Sequence, residues 1–301
     1  MCKIIIGTWQ TVPSDGFWTD QDPSLSEKLL TFAIHQGFTG FDTAQGYGKG
    51  RAEQLLGKVL ARYPNKVFDV DSKIMPSSKE PLELVSQSLS RLRVKSLNRL
   101  YLHWPRTGFD VSSFLCKMNA LKEAGLVKKV GICNTPLEYL KSLEAPLDCL
   151  QIPVSLLWAR DLKETLSYCR EQEIEVVAYS PLGMGLLSGK YTTSENLRDA
   201  RASLFCFKDP CHKPFLNLLG LLKEIACARE VSPTTVALAW VANTGVDNII
   251  LGARTEEQLL ANVEALKLSL DSCEVAALNK AAFLLEQESR KICDNIFSYN
   301  W

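Results

Sequence analysis

Four polar residues in the first third of the chain share one setting. Asp42 ends a short apolar run, and Tyr47 follows on the glycine-broken stretch Phe41-Asp42-Thr43-Ala44-Gln45-Gly46-Tyr47-Gly48. Lys73 closes the run Val67-Phe68-Asp69-Val70-Asp71-Ser72-Lys73, and His103 closes Leu100-Tyr101-Leu102-His103. These residue types suit proton transfer to a carbonyl oxygen or from an alcohol. A tyrosine has a pKa of about 10 and is a poor proton donor near neutrality. A lysine cation about 4 Å away favours the phenolate by up to roughly 4 kcal/mol at an effective dielectric of about 20. That is at most about three pKa units, so the expectation is a Tyr47 made more acidic by Lys73. Asp42 would hold the ammonium in place and charged, and His103 would donate a hydrogen bond to a substrate oxygen. The set has no Ser or Cys nucleophile with a base, and no metal cluster, which argues against hydrolysis.

Alternatives stay open at this level. A strand-end lysine in a barrel can form a Schiff base, as in class I aldolases. Each residue also has a plainer reading: Asp42 and Lys73 as a structural ion pair, His103 as a core histidine, Tyr47 as loop packing. The plain readings weaken together, because all four residues fall at the same end of neighbouring strands.

The elements that must position them follow from hydrophobic spacing. Short apolar runs at 3–8, 38–42, 67–73, 99–103, 127–133, 149–152, 175–179 and 248–251 predict eight strands. Segments with helical spacing at 26–36, 51–62, 81–93, 111–124, 136–143, 162–171, 215–229, 233–243 and 256–266 alternate with them, and 271–285 adds a helix. Strands alternating with helices imply a parallel sheet, and eight units without a linker imply closure into a (β/α)8 TIM barrel. Such barrels gather their chemistry at the C-terminal strand ends. The expectation is one domain over 1–301, with an extended loop at about 186–213 and a C-terminal tail at about 286–301. The rival open sheet would offer a glycine-rich turn after the first strand, and Gly7-Thr8-Trp9-Gln10-Thr11 is not one.

Composition narrows the partners. Lys+Arg and Asp+Glu both number 34, so the formal net charge is zero, which argues against nucleic-acid or membrane binding through bulk charge. The N-terminal apolar run is too short for a signal peptide or a membrane span. Ten cysteines without a Cys-x-x-Cys pair read as reduced, small hydrophobes of a cytoplasmic protein. Cys206, Cys211 and His212 are the nearest approach to a metal set, and their spacing fits no common zinc pattern, so no metal is expected.

Over nearly its whole length the chain resembles the aldo-keto reductases. The resemblance rests on Gly7-Thr8-Trp9, Phe41-Asp42-Thr43-Ala44 with Tyr47-Gly48 and Glu53-Gln54-Leu55-Leu56-Gly57, Lys73, and Leu102-His103-Trp104-Pro105. It continues through Val130-Gly131-Ile132-Cys133-Asn134, Gln151, Ala178-Tyr179-Ser180-Pro181-Leu182, Gly185-Leu186-Leu187-Ser188-Gly189-Lys190 and Leu251-Gly252-Ala253-Arg254-Thr255 with Gln258 and Asn262. The resemblance implies a carbonyl reductase using NADP(H), with NAD(H) as the other choice, bound at the barrel mouth. Asp42, Tyr47, Lys73 and His103 match the catalytic tetrad, with Tyr47 as general acid. Thr8 and Trp9 belong to the same mouth. Asn134 and Gln151, with Cys133 beside them, match the nicotinamide carboxamide site, and Tyr179 with Ser180 the ring-stacking position. Leu182, Gly189 and Lys190 match the pyrophosphate loop, and Gly252, Arg254, Gln258 and Asn262 the adenosine end. Arg254 would then pair with a 2′-phosphate, favouring NADPH.

Three departures stand out. Cys133 replaces the frequent serine. Gly252 stands where some members have lysine. The β-hairpin that often closes the barrel bottom is expected to be absent or truncated. Trp9, Phe17, Trp18 and Trp104 would wall the substrate, and Phe297, Tyr299 and Trp301 of the tail would fold over the mouth. Potassium-channel β-subunits also resemble this family, so a cofactor-holding sensor is the alternative to an enzyme on small carbonyl compounds.

Overall fold

In the computed structural model, which describes residues 2–14, 16–106 and 108–292, eight parallel strands close into a barrel in sequence order. They are β1 Lys3–Gly7, β2 Gly40–Asp42, β3 Asp69–Ile74, β4 Leu97–Leu102, β5 Val127–Cys133, β6 Cys149–Pro153, β7 Glu175–Tyr179 and β8 Asn248–Leu251. The helices are α1 Pro23–His35, α2 Arg51–Leu60, α3 Pro81–Leu92, α4 Val111–Glu123, α5 Leu137–Lys141, α6 Leu162–Glu171, α7 His212–Ala228, α8 Pro233–Ala242, α9 Glu256–Ala265 and α10 Ser272–Ser289. This is the (β/α)8 barrel that the alternation predicts.

The differences lie at boundaries and have local causes. Helix α1 starts three residues earlier than its apolar spacing suggests. Pro23 occupies its first turn and the Asp22 carboxylate caps the Ser24 N–H at 2.8 Å. Strand β2 is only three residues long, because the Phe38 N–H is spent on Ala33 O at the end of α1. Helix α7 begins at His212, inside the stretch read as loop. Helix α10 runs to Ser289 and so absorbs the start of the predicted tail, helped by a Glu286–Arg290 pair one turn apart. The aromatic tail residues Phe297, Tyr299 and Trp301 lie outside the described residues.

Alternate strand residues face inward and stack in layers. Near the N-terminal ends Arg99 donates to Asp71 at 2.9 Å and to Glu175 at 2.6 Å, and Lys129 and Asn248 each donate to Glu175 at 2.6 Å. Burial pushes the Asp71 carboxyl up to about 7 against the pull of Arg99. Glu175 also loses hydration, but its three donors hold it down to about 2. Above this lies an apolar layer of Ile5, Tyr101, Cys149, Val177 and Ile250. Tyr101 fits only because residue 131 is glycine: a Cβ there would sit 2.6 Å from the tyrosine ring and 2.6 Å from the Cys149 carbonyl oxygen. The top layer holds Asp42, Lys73, Cys133 and Gln151, each no more than 3% exposed.

Outward strand residues such as Phe41, Leu100, Ile132, Leu150 and Ile249 are fully buried under the helices. Each such side chain contributes about 1.5–3 kcal/mol by leaving water. One buried charge ties this jacket to the mouth. Glu53 on α2 accepts from Ser72 of β3 and from Arg91 of α3, both at 2.6 Å. Ser72 faces out and its neighbour Lys73 faces in, so the clamp on Ser72 fixes the strand that carries Lys73.

Candidate active site

The register of the strands brings the four chemical residues to one place. Asp42 pairs across to Asp71, two residues before Lys73 on β3, and Lys73 lies opposite Tyr101, two residues before His103. Lys73 Nζ donates to Asp42 Oδ1 at 2.5 Å, to the Thr43 carbonyl at 2.8 Å and to Tyr47 Oη at 3.2 Å. The His103 ring lies 5.8 Å from the Tyr47 ring, edge to face. Tyr47 reaches inward because Gly48, at φ +56°, turns the loop back; a Cβ there would collide with Val12 at 2.7 Å.

The electrostatics correct one expectation. Lys73 does pull on the phenol, but burial outweighs it and the Asp42 charge adds to burial, so the Tyr47 hydroxyl is pushed up to about 12. The cation alone would lower the phenol; the loss of water on burial reverses the sign. Lys73 suffers the same burial, and Asp42 overcomes it, holding the ammonium charged well above its ordinary range. His103 is kept neutral, first by burial and then by Lys73. Its Nδ1 is buried without a hydrogen-bond partner.

Next to this cluster, Tyr179 Oη donates to Asn134 Oδ1 at 2.8 Å, while Asn134 Nδ2 is buried and unbonded. Asn134 and Ser180 both take left-handed φ values, +56° and +51°, just past the ends of β5 and β7. Such strain in non-glycine residues collects where a site fixes the backbone. Gln151 spends its amide N–H on Asp42 Oδ2 at 2.9 Å, making it, after Lys73, the second donor to the acid. Cys133 Sγ stands 4.0 Å from Gln151 Oε1, and burial pushes its thiol up, so it is a neutral neighbour. Thr8 is fully buried and donates its hydroxyl to the Asp42 carbonyl at 3.0 Å.

A cleft of about 320 Å³ runs from Asp42 and Tyr47 along the ends of β7, β8 and β1. Of the predicted residues, Thr8, Trp9, Trp18, Tyr179, Ser180, Leu182, Lys190, Gly252, Arg254, Gln258 and Asn262 line it. Phe17, Lys73, His103, Trp104, Cys133, Asn134, Gln151 and Gly189 do not. The Trp104 ring packs on His103 at 4.5 Å, and Gly189, at φ +74°, ends a 3-10 turn over Gly183–Ser188. At the far end Arg254 Nε donates to Gln21 Oε1 at 2.8 Å and Nη2 lies 3.1 Å from Asp20 Oδ2. Gln258 Oε1 accepts from the Arg254 backbone N–H at 2.9 Å, and Asn262 Nδ2 donates to the Gly252 carbonyl at 3.2 Å.

Sequence reading missed Arg201, a buried cation on the cleft wall. It donates to Asp199 through Nε and Nη2 and to the Met184 carbonyl at 3.1 Å, and its guanidinium lies 4.8 Å from the Trp18 ring. The Ala200 N–H next to it bonds the Gly16 carbonyl at 3.1 Å, which ties Gly16 to this wall of the mouth. Nothing periodic marks this loop in the sequence. Gln10 was also missed; it joins β1 to β8 through Gly7 O and Ala253 O.

A closed eight-stranded parallel barrel with a buried Asp–Lys–Tyr cluster beside a long mouth cleft is the (β/α)8 architecture in full. The chain belongs to the Aldo/keto reductase family, whose sequence profile matches residues 3–282. It is 30% identical over 288 residues to an uncharacterized oxidoreductase of Mycobacterium bovis, covering 93% of this chain and 89% of that one. It is 26% identical over 314 residues to the NADH-specific methylglyoxal reductase of Escherichia coli, covering 95% and 96%. In structure it resembles an aldo/keto reductase from Klebsiella pneumoniae solved with NADP and acetate, with a TM-score of 0.69, 24% identity, and 92% and 90% coverage. The family works with nicotinamide cofactors.

No helix among the described residues is long and apolar enough to cross a membrane. Cys206 and Cys211 are buried, and His212 bonds Thr192 O at 2.9 Å.

Proposed function

We propose that this chain reduces an aldehyde or ketone to an alcohol with a reduced nicotinamide dinucleotide, and that Tyr47 gives the proton. The observation that carries this reading is Tyr47 Oη held 3.2 Å from a lysine that is itself paired with Asp42, at the head of the cleft. When bound, the dinucleotide supplies the hydride. The phenol, neutral at ordinary pH, donates its proton to the carbonyl oxygen as that oxygen gains charge. The Lys73 cation then stabilises the phenolate left behind, and Asp42, Gln151 and Thr43 O keep Lys73 in position. Neutral His103 orients the same oxygen.

The residues present fit the cofactor. The unbonded Asn134 Nδ2 is a donor awaiting a carbonyl, which a carboxamide supplies. Tyr179 offers a ring face, the left-handed turn around Gly185 and Gly189 opens backbone for a pyrophosphate, and Arg254 offers a cation at the adenosine end. All three N–H bonds of Lys73 are donated and its charge is secured, so the geometry favours proton transfer over imine formation, which needs a free amine. The test is loss of nicotinamide absorbance with NADPH and NADH against a panel of aldehydes, ketones and sugars. Turnover supports the reading; tight cofactor retention with no turnover on any substrate would replace it with a sensor.

A further inference from the structure

At the adenosine end of the cleft the charges do not suit a phosphate as well as the single arginine suggests. Arg254 is the cation there, and Gln21 fixes its Nε. Gln21 is itself held: it is 7% exposed and donates to Ser26 Oγ at 2.8 Å. The guanidinium is thus held where its Nη2 meets the Asp20 carboxylate at 3.1 Å. Position 252 adds no cation, and the first turn of α9 adds Glu256 and Glu257. The acids Asp20, Glu256 and Glu257 therefore outnumber Arg254 in the segments that form this end.

We propose that Asp20 is a specificity-determining residue that sets the site against a 2′-phosphate, so that NADH is accepted at least as well as NADPH. The inference rests on the dinucleotide reading of the cleft given above. A 2′-phosphate seeking Arg254 must share it with a carboxylate already in place, and two anions on one guanidinium repel. A 2′-hydroxyl carries no such charge and meets no such repulsion. Asp20 sits on the 9–22 segment, whose side chain here is 69% exposed, so its removal alters charge without opening the core.

The test is Asp20→Asn, with dissociation constants for NADPH and NADH measured by fluorescence titration at low and high salt. The expected result is NADPH binding tightened roughly two- to tenfold, the span of an exposed charge contact, with NADH moved by less than twofold. The gain should shrink at high salt and vanish in the double variant Asp20→Asn/Arg254→Ala. Equal shifts for both dinucleotides, or no shift, would overturn the role of Asp20. A tenfold or greater preference of the parent chain for NADPH would overturn it too. If the parent binds neither dinucleotide, the cleft reading itself fails, which is a different outcome from binding that ignores Asp20.

Discussion

Replacing Tyr47 with phenylalanine removes one hydroxyl and keeps the ring. The ring contacts survive: its neighbours Trp9, at 6.3 Å between centroids, and His103, at 5.8 Å, meet the same carbon face. Lys73 loses its weakest acceptor, the phenol at 3.2 Å, and retains Asp42 and Thr43 O at 2.5 and 2.8 Å. The stability cost is therefore about one hydrogen bond, roughly 1 kcal/mol. The chemical cost is larger, because no other group at the cluster can donate. His103 is held neutral, and Lys73 keeps its N–H bonds on Asp42 and Thr43 O. Loss of a positioned general acid is worth about a hundred- to ten-thousandfold, or about 2.7–5.4 kcal/mol in the barrier. The assay is single-turnover carbonyl reduction followed by nicotinamide fluorescence, beside equilibrium cofactor binding, which should hardly move. The pH arm is sharper. With the phenol pushed up to about 12, the parent's reduction rate owes no loss to Tyr47 between about pH 6 and 10, while alcohol oxidation, which needs the phenolate, rises with pH. A Tyr47→Phe variant keeping more than a tenth of the parent rate would refute the assignment. A parent rate that falls tenfold per pH unit above neutrality, only when Tyr47 is present, would show that Lys73 outweighs burial.

Three further outcomes follow from the same geometry. Lys73→Met should cost about 3–5 kcal/mol in urea unfolding, because Asp42 is left buried and unpaired, whereas Asp42→Asn/Lys73→Met should recover much of that stability and none of the turnover. Gly131→Ala should destabilise by at least about 2 kcal/mol in the same assay, through overpacking against Tyr101 and Cys149. Glu175 is held at about 2 against an unfolded value of 4.5, so its contribution is complete above about pH 4.5 and is lost as pH falls towards 2. Glu175→Gln should therefore lower the thermal midpoint near neutrality, and the gap to the parent should narrow as the pH approaches about 2.

The barrel was legible because strand runs and helical spacing alternate eight times, and because strand-end polar residues stand out against apolar runs. Asp42, Lys73 and His103 were visible for that reason. What the sequence withheld was burial and loop path. The pull of Lys73 on Tyr47 follows from charge alone, but the opposing loss of water depends on how the loop at Gly48 folds inward. Gln151 read as a cofactor contact, while the register of β6 turns its amide onto Asp42. Arg201 and Asp20 lie in loops with no period to mark them, and their partners come from distant segments. The start of α1 is set by the cap of Asp22 and the proline after it, which apolar spacing does not register.

The packing around residue 131 has a meaning for how such a sequence can change. Tyr101 and Cys149 can trade volume with one another, as side chains facing a shared space do. Residue 131 has no such freedom, because one of the atoms a methyl would strike is the backbone carbonyl of Cys149, at 2.6 Å, which no partner mutation trims away. In a walk through sequence space, positions 101 and 149 form a correlated pair, while position 131 is a fixed point around which the pair drifts. A library that randomises all three together spends most of its members on dead sequences. One that holds the glycine and varies the other two samples the alternatives this barrel can fold.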